Sequence, residues 1–199
     1  MPDYTYETDA LARGYTVIAG TDEAGRGPLA GPVCAAAVIL PKDLVIEGLN
    51  DSKKLSEKKR EKLYDVILEK AISYGIAFAS HEEIDEINIL NASQLAMRRA
   101  VAMLDPTPDL VLVDGNIARN FPMDALPIVK GDALSMSIAA ASILAKVTRD
   151  RYCAEMDAAY PEYHFAQHKG YPTKEHMELV RQLGPSPIHR KTFLKFLNK

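Results

Sequence analysis

The chain has 199 residues, 47% of them hydrophobic, and is therefore long enough to bury a core as one main domain. Its net charge of −3 is the sum of −7 over residues 1–129 and +4 over residues 130–199. The excess of basic residues in the second segment permits contact with nucleic-acid phosphates. Because no apolar run approaches the roughly 18 residues of a membrane span and the N-terminus lacks the pattern of a secretion signal, we expect a soluble, cytoplasmic protein without membrane contact.

The first half of the chain alternates short apolar runs with charged helical segments. Ser56 is the expected N-cap of a helix that continues to about residue 73, since apolar residues recur there at helical spacing. A second helix is expected over residues 92–104, where a proline-rich turn ends it. The apolar runs bounded by glycine, proline or charged residues predict strands over residues 15–20, 33–40, 74–80 and 110–114, the first two of which can pair as a hairpin.

The second half is predicted to be mainly helical. A long helix is expected over residues 133–158, where small side chains favour close packing on a sheet. Residues 160–171 are rich in aromatic residues and histidine without periodicity, which indicates a loop. Thr173 can cap a further helix that Gly184 ends, and residues 191–197 favour a last short helix.

The order of these elements predicts an α/β fold, in which a mixed β-sheet is flanked by α-helices and followed by a C-terminal helical segment. We expect a tail over residues 1–14 and a single domain over residues 15–199, whose part from about residue 160 is helical. The only two cysteines, Cys34 and Cys153, lie in apolar patterns, so we expect reduced core residues and no cysteine-based zinc site.

Two acids end predicted strands. Asp22 and Asp114 both follow apolar runs, and the carboxyl ends of neighbouring strands are where sites form in open α/β sheets. Converging carboxylates repel unless a cation or a proton lies between them, and oxygen ligands favour magnesium or manganese. Taken singly, each acid has another interpretation, because Asp22 can lie in a solvated turn and the sequence Asp-Gly is common in turns.

Two further acids are ambiguous. Glu23 follows Asp22 directly, and adjacent strand residues point to opposite faces, so both can reach one ion only if the strand bends or ends there. Asp132 precedes the long predicted helix and is also a suitable N-cap. Since a helix start can hold an acid beside a metal, the two roles of Asp132 are compatible.

Taken together, the motifs of this chain resemble the bacterial ribonuclease HII family. The sequence Thr-Asp-Glu-Ala-Gly-Arg-Gly-Pro over residues 21–28 carries the strongest likeness, and the match continues in family order from about residue 15 to residue 193. Several separated motifs at compatible spacing make the resemblance specific. The matching segments are residues 21–33, 51–55, 113–115, 130–132, 137–150 and 168–171, with His189 and Arg190 near the end.

The resemblance implies an RNase H-like fold and an endoribonuclease that hydrolyses RNA in RNA/DNA hybrids and cuts 5′ to single ribonucleotides embedded in duplex DNA. It implies that the backbone of Gly25, Arg26 and Gly27 recognises the ribose 2′-hydroxyl and that Tyr171 packs on the sugar following the ribonucleotide. The four metal-site acids that it implies are Asp22, Glu23, Asp114 and Asp132.

This chemistry fits the residue types. Two divalent ions about 3.5–4 Å apart, Mn²⁺ or Mg²⁺, can position a water and stabilise the leaving oxygen, giving 5′-phosphate and 3′-hydroxyl ends. The 2′-hydroxyl then serves recognition, because a site built to bind it rejects DNA. Lys53 and Lys54 can contact the nucleic-acid backbone, although they can equally be solvated charges.

Other functions remain open at this stage. We expect a monomer whose partner is nucleic acid, but another RNase H-like nuclease or a non-catalytic hybrid-binding module would share the fold. The related ribonuclease HIII normally carries an added N-terminal domain, for which the 21 residues before Asp22 leave no room. Intact acids favour an enzyme over a binding module.

Overall fold

The structure, a computed structural model, describes residues 1–198. Within that range it contains five strands and six α-helices. The strands are β1 (Ile18–Ala24), β2 (Val33–Ile39), β3 (Ser73–Ala79), β4 (Leu110–Asp114) and β5 (Asp124–Ile128). The helices are α1 (Thr5–Ala12), α2 (Glu57–Lys70), α3 (His81–Val101), α4 (Met136–Ala159), α5 (Phe165–His168) and α6 (Lys174–Leu183).

The five strands form one mixed sheet in the order β3-β2-β1-β4-β5. β1 and β2 pair antiparallel, as the hairpin prediction expected, and β3 continues the antiparallel half. β4 and β5 add to the other side of β1 as parallel strands. The predicted mixed sheet flanked by helices is therefore confirmed.

The sheet is covered on both faces, because its inner strand β2, which lies between β3 and β1, is apolar throughout. All seven residues of β2 are buried, and their side chains alternate between two core clusters. Ala35 and Ala37 pack towards α3, whereas Ala36 and Val38 pack towards α4 and α2. A strand buried on both faces reads as a continuous apolar run, which explains why the sequence predicted it well.

Helix α4 lies unusually close to β1 at Gly20. A Cβ atom at Gly20 would overlap the backbone of Ser137 and Ile138, so glycine is the residue that allows this approach. α4 is itself buried along most of its length and rich in alanine. The close contact brings the start of α4 next to the strand that carries Asp22 and Glu23.

Several predicted elements differ in extent. β1 continues to Ala24, beyond the predicted end at residue 20, since its ladder with β2 extends that far. α3 begins at His81 rather than residue 92, because Ser80 and Glu83 form a reciprocal capping box. The helix is interrupted at Asn88, whose φ of 66° is not helical. α2 keeps its predicted cap at Ser56 but ends at Lys70.

Other elements were not predicted correctly from the sequence pattern. β5 was not predicted, because it contains Pro127 and only edge strands tolerate proline. The predicted loop over residues 160–171 contains the short helix α5. The predicted final helix is instead two 3₁₀ turns, Lys191–Phe193 and Lys195–Asn198.

The N-terminal segment, expected as a tail over residues 1–14, contains α1, which packs against the sheet and α4. Glu7 is buried and accepts hydrogen bonds from both hydroxyls of Ser135 and Ser137 at 2.6 Å. Ala10 joins an apolar cluster with Leu112. Because the apolar face of α1 is short, the sequence pattern did not predict a helix.

The C-terminal part of the described chain packs on the loop that follows β1. Leu29 and Ala30 form an apolar cluster with Phe165, Val180 and Ile188. Cys34 and Cys153 are buried and free, as predicted. No helix within residues 1–198 combines the length and apolar character needed to cross a membrane.

Candidate active site

A polar cleft of about 330 Å³ opens where β1 and β4 separate. The last residue pair of their ladder is Thr21 and Val113, so the residues after these two are not paired between β1 and β4. The expectation that Asp22 ends its strand is wrong, because β1 continues to Ala24 on its other edge. The cleft is lined by Asp22, Glu23, Ala24, Gly25, Arg26, Gly27, Ser52, Lys53, Asp114, Ser142, Lys146 and Tyr171.

Asp22 and Asp114 lie on the α4 side of the sheet. Strand alternation sets this, since Gly20 and Leu112, two residues earlier on each strand, both contact Ile138 of α4. Asp132 approaches the same position from the turn before α4, where its backbone N–H donates to Oδ1 of Asp114 at 3.3 Å. Three of the four predicted acids therefore meet on one face.

Glu23 reaches the cleft from the other face of β1. Glu23 lies beyond the last β1–β4 pair, where the edge of β1 that faces β4 is unpaired. Its side chain can therefore pass this edge and reach the cleft. Its backbone N–H donates to Oδ1 of Asp22 at 2.7 Å. The side chain is only 9% exposed and pairs with Arg26 at 3.3 Å.

Asp132 does not cap α4. It lies in a 3₁₀ turn, Gly131–Ala133, and the N-cap is Ser135, whose hydroxyl accepts from the N–H of Ile138. The capping interpretation of Asp132 is therefore wrong, since the helix begins three residues later than predicted. Its buried carboxylate is left free to face the cleft acids and Lys53.

The carboxylates raise one another's proton affinity. Burial raises the pKa of Asp22 well above its ordinary value, and the charges of Glu23 and Asp114 raise it further. Burial is also the main cause of the raised pKa of Glu23, which Arg26 opposes. Asp114 has a raised pKa from burial and from Asp132. The cleft is thus a site of concentrated negative charge that favours a cation.

Lys53 is the cation nearest to the acids. Its Nζ lies 3.2 Å from Oδ2 of Asp132, and the side chain is 77% exposed. Burial alone would lower the pKa of Lys53, but the charges of Asp132 and Asp22 outweigh it and raise that pKa. Lys54, predicted together with Lys53, is exposed and does not line the cleft.

The loop of Gly25, Arg26 and Gly27 forms part of the cleft wall. Gly25 has a φ of +99°, and a Cβ atom there would overlap the side chain of Arg149, so only glycine fits. Arg149 is buried and donates to the backbone carbonyls of Ala30 and Lys169. It therefore supports the loop from beneath instead of facing the cleft.

Tyr171 stands beside this loop, 42% exposed. Its ring lies close to Gly27, where a Cβ atom would come within 3.3 Å of Cε1. The predicted residues Gly25, Arg26, Gly27 and Tyr171 therefore share one surface next to the acids. The loop and the ring approach each other only through tertiary folding, since they lie far apart in the sequence.

A chain of histidines holds the backbone of Tyr171. The N–H of Ser186 donates to Nδ1 of His189 at 2.9 Å, so His189 carries its proton on Nε2 and donates to Nε2 of His176 at 3.0 Å. His176 must then donate from Nδ1 to the carbonyl of Tyr171 at 2.9 Å. Burial, the main cause, lowers the pKa of both His176 and His189 to about 4, which keeps them neutral.

Sequence reasoning missed two serines that line the cleft. Ser52 and Ser142 lie 2.9 Å apart through their hydroxyls, and both line the cleft. Lys146 also lines it, while its ammonium group donates to Asp150 at 2.5 Å. The serines are small residues within motif segments, and only their three-dimensional position marks them.

Comparison with known proteins identifies the family. The family model described as Ribonuclease HII matches residues 19–196. The chain belongs to the ribonuclease HII family. Ribonuclease HII of Acetivibrio thermocellus is 60% identical over 190 residues, which cover 96% of this chain and 74% of that protein.

Solved structures of related ribonucleases share the fold. The crystal structure of ribonuclease H2 from Pyrococcus horikoshii OT3 matches with a TM-score of 0.74 at 27% identity and covers 92% of this chain and 100% of that chain. Bst-RNase HIII in complex with Mn²⁺ matches with a TM-score of 0.67 at 17% identity, covering 95% of this chain and 71% of that chain, which shows the fold alone. The RNase H-like fold is confirmed.

Membership of the ribonuclease HII family makes this chain a ribonuclease H, a hydrolase that cuts RNA in RNA/DNA hybrids. Its substrate is nucleic acid, and enzymes of this kind depend on a divalent metal ion. The expectation of an endoribonuclease is confirmed. Among the alternatives, a non-catalytic binding module is not what the comparisons support.

The cleft acids suit a hard divalent cation. All four candidate ligands offer oxygen, and Oε2 of Glu23 is buried without a hydrogen-bond partner among the described residues. In the part of the chain that the structure describes, no three acidic, histidine or cysteine side chains already converge as metal ligands. Binding an ion therefore requires carboxylate side chains to rotate towards one another.

Proposed function

We propose that this enzyme cuts on the 5′ side of a single ribonucleotide in duplex DNA, in addition to hydrolysing RNA in longer hybrids. One observation carries the proposal: the carboxylate cluster shares a cleft with the Gly25–Gly27 loop and Tyr171. A cluster of acids alone would suit many nucleases. The adjacent loop and ring add a means of recognising one sugar and its neighbour.

In this proposal Asp22, Glu23, Asp114 and Asp132 hold divalent ions, magnesium or manganese. Such ions, when bound, neutralise the scissile phosphate, position a water and stabilise the leaving 3′-oxygen, which gives 5′-phosphate and 3′-hydroxyl products. The acids Asp22 and Asp114 are held rigidly by paired strands, which favours precise placement. The backbone N–H of Asp132 orients the carboxylate of Asp114.

The remaining cleft residues bind the substrate. Backbone groups of Gly25, Arg26 and Gly27 hydrogen-bond the 2′-hydroxyl, and a duplex without that hydroxyl leaves them unpaired. The exposed ring of Tyr171 packs on the sugar that follows the ribonucleotide. Lys53 faces the phosphate at the acids, whereas Lys54, outside the cleft, contacts the backbone further along the duplex.

All the residues of this proposal belong to one chain, so we infer a monomer in which residues 15–199 act as a single catalytic domain. No contribution from a second copy is needed to complete the cleft. Light scattering of the purified protein, with and without a hybrid duplex, tests this: a mass of one chain is expected, and a dimer that persists on dilution would contradict it.

The deciding experiment uses one end-labelled duplex that contains a single ribonucleotide. We expect cleavage 5′ to that residue in Mg²⁺ or Mn²⁺, no cleavage in EDTA, and a 5′-phosphate on the downstream product. The matched all-DNA duplex should stay intact. A four-way DNA junction without ribonucleotides separates the enzyme from other RNase H-like nucleases.

Three results would contradict the proposal in different ways. An uncut single-ribonucleotide duplex, with a uniform hybrid still cleaved, would restrict the enzyme to longer RNA. Cleavage of the all-DNA junction would favour a resolvase. Tight binding to hybrids without cleavage in either metal would favour a binding module.

A further inference from the structure

Arg190 is a fully buried arginine whose partners are all backbone carbonyls. Its exposed fraction is 0%. Nη2 donates to the carbonyl of Gly25 at 2.7 Å and Nη1 to that of Arg26 at 3.0 Å. Nε donates to Gly31 at 2.8 Å, and Nη2 also reaches Pro32 at 3.2 Å. One side chain thus binds both ends of the loop that follows β1.

No acidic side chain within residues 1–198 forms an ion pair with Arg190. A buried cation without a counter-ion is costly unless its N–H groups are hydrogen-bonded. Here the backbone carbonyls accept those hydrogen bonds, and their dipoles stabilise the positive charge. Burial, helped by the nearby Arg149, lowers the pKa of Arg190 to about 9. The ring of Phe193 lies 5.1 Å from the guanidinium carbon and adds a cation–π contact.

The contacts of Arg190 determine where the neighbouring N–H groups point. In a trans peptide the C=O and the following N–H point in opposite directions. Because the carbonyls of Gly25 and Arg26 turn inward to Arg190, the N–H groups of Arg26 and Gly27 turn the other way. Both residues are exposed and line the cleft beside Tyr171.

We propose that Arg190 is a positioning residue for ribonucleotide selection, which orients the N–H groups of Arg26 and Gly27 towards the substrate's 2′-hydroxyl. This inference rests on the proposed function, since it assigns the origin of the sugar selectivity of that site. Arg190 does not touch the substrate. It acts by holding two peptide planes in one orientation before the substrate arrives, which avoids an ordering cost on binding.

The test is a comparison of two variants against two duplexes. Equilibrium binding is measured in EDTA with a duplex containing one ribonucleotide and with the same duplex in all-DNA form. The wild-type protein is expected to prefer the ribonucleotide duplex by about tenfold or more, since unpaired polar groups penalise the wrong ligand. Arg190→Lys keeps the charge but cannot bind four carbonyls, so its preference should fall to about twofold while its affinity for all-DNA stays unchanged.

Phe193→Leu serves as the second variant, because it loosens Arg190 without removing it. The preference of Phe193→Leu for the ribonucleotide duplex should fall between those of wild type and Arg190→Lys. If Arg190→Lys does not fold, Phe193→Leu alone tests the positioning role. Val101→Ala is the control for lost stability, since Val101 is buried in the α3 core away from the cleft. This control should keep the wild-type preference at the temperature of measurement.

The outcomes separate the positioning role from the proposed function. A folded Arg190→Lys or Phe193→Leu protein that keeps the full preference would overturn the positioning role. Equal loss of affinity for both duplexes would also overturn it, because a purely structural role predicts that result. A wild-type protein that neither prefers nor cleaves the ribonucleotide duplex would overturn the proposed function, and the positioning role with it.

Discussion

The ammonium group of Lys53 lies 3.2 Å from Oδ2 of Asp132, so a positive charge already occupies one side of the acidic cleft. Lys53 and a divalent ion compete for the same carboxylate. The side chain of Lys53 is mostly exposed whereas that of Asp132 is buried, so solvent screens the pair from the Lys53 side and its contribution is on the order of 1 kcal/mol. The pair is therefore weak enough for an ion to displace it.

Lys53→Met should raise the affinity of the free protein for Mn²⁺ by about twofold to fivefold, because the competing charge is removed. The same variant should weaken the binding of a hybrid duplex and reduce its dependence on salt. Calorimetric titration with Mn²⁺ checks the first result. Lys54→Met, which changes a neighbouring lysine outside the cleft, should leave the Mn²⁺ titration unchanged; equal effects of the two variants would contradict the specific pairing.

Asp22→Asn should remove activity and yet stabilise the metal-free protein. Activity should fall by at least about 100-fold. Replacing a residue that only orients a metal ligand already reduces metal affinity or activity by about 10–100-fold, and Asp22 is proposed as a ligand itself. In EDTA the melting temperature should rise by about 2–4 °C, the shift expected for about 1 kcal/mol in a chain of this size, because a buried like-charge contact disappears.

Asp65→Asn provides the control for Asp22→Asn. Asp65 is exposed on α2, and its neutralisation should change neither activity nor melting temperature measurably. Near-normal turnover of Asp22→Asn would contradict its role as a ligand. A lower melting temperature in EDTA would contradict the repulsion argument.

Tyr171→Ala should reduce cleavage at a single ribonucleotide by about tenfold, because stacking and packing of an aromatic ring contribute 1–3 kcal/mol. Tyr171→Phe should lose less, and a uniform hybrid should be affected less than the junction. Steady-state cleavage of the two substrates measures this difference. Tyr74→Ala, on β3, removes a similarly exposed ring and should have no effect; equal losses on both substrates would argue against a junction-specific role of Tyr171.

The stability of the protein should fall as the pH is lowered from about 6.5 to 4. His176 and His189 have folded pKa values of about 4, below the unfolded value of 6.5, so the unfolded chain binds protons first. Their contribution is complete above pH 6.5 and declines by about 1 kcal/mol per pH unit for each histidine. Urea unfolding at pH 7, 6 and 5 measures the slope.

Two variants test the assignment of that slope. His189→Gln should reduce it, since a buried histidine with a lowered pKa is removed. His164→Gln changes an exposed histidine bound to Glu175 and should leave the slope as in wild type. An unchanged slope in His189→Gln would show that other groups cause the pH dependence.

Much of the fold was predictable from local sequence. β2 and β4 are continuous apolar runs, and α2 and α6 begin at capping residues, so short-range patterns suffice for them. β5 failed because the penalty for proline depends on whether a strand lies at the edge, which is a tertiary property. α1 failed for a similar reason, since burial of Glu7 on α4 is what favours its docking.

The candidate site was likewise predictable in part from the sequence, and in part only from the tertiary structure. Residue types and predicted strand ends indicated the acids, and the resemblance to the family added the Gly25–Gly27 loop and Tyr171, because it rests on short motifs that each lie within one segment of the sequence. The sequence alone could not place Glu23 beside Asp22, since that depends on where the β1–β4 ladder stops. It also gave Lys53 and Lys54 equal weight, although only Lys53 faces the acids.

By itself, the sequence determined the chemistry available to this protein, an oxygen-rich acidic site with a glycine-flanked arginine and a tyrosine. Only the tertiary structure decided how these groups are held. Arg149 and Arg190 support the loop through carbonyls of distant residues, and His176 and His189 fix the backbone of Tyr171. Such contacts have no local sequence signature, because a backbone carbonyl is present at every residue and only folding selects which ones an arginine or a histidine meets.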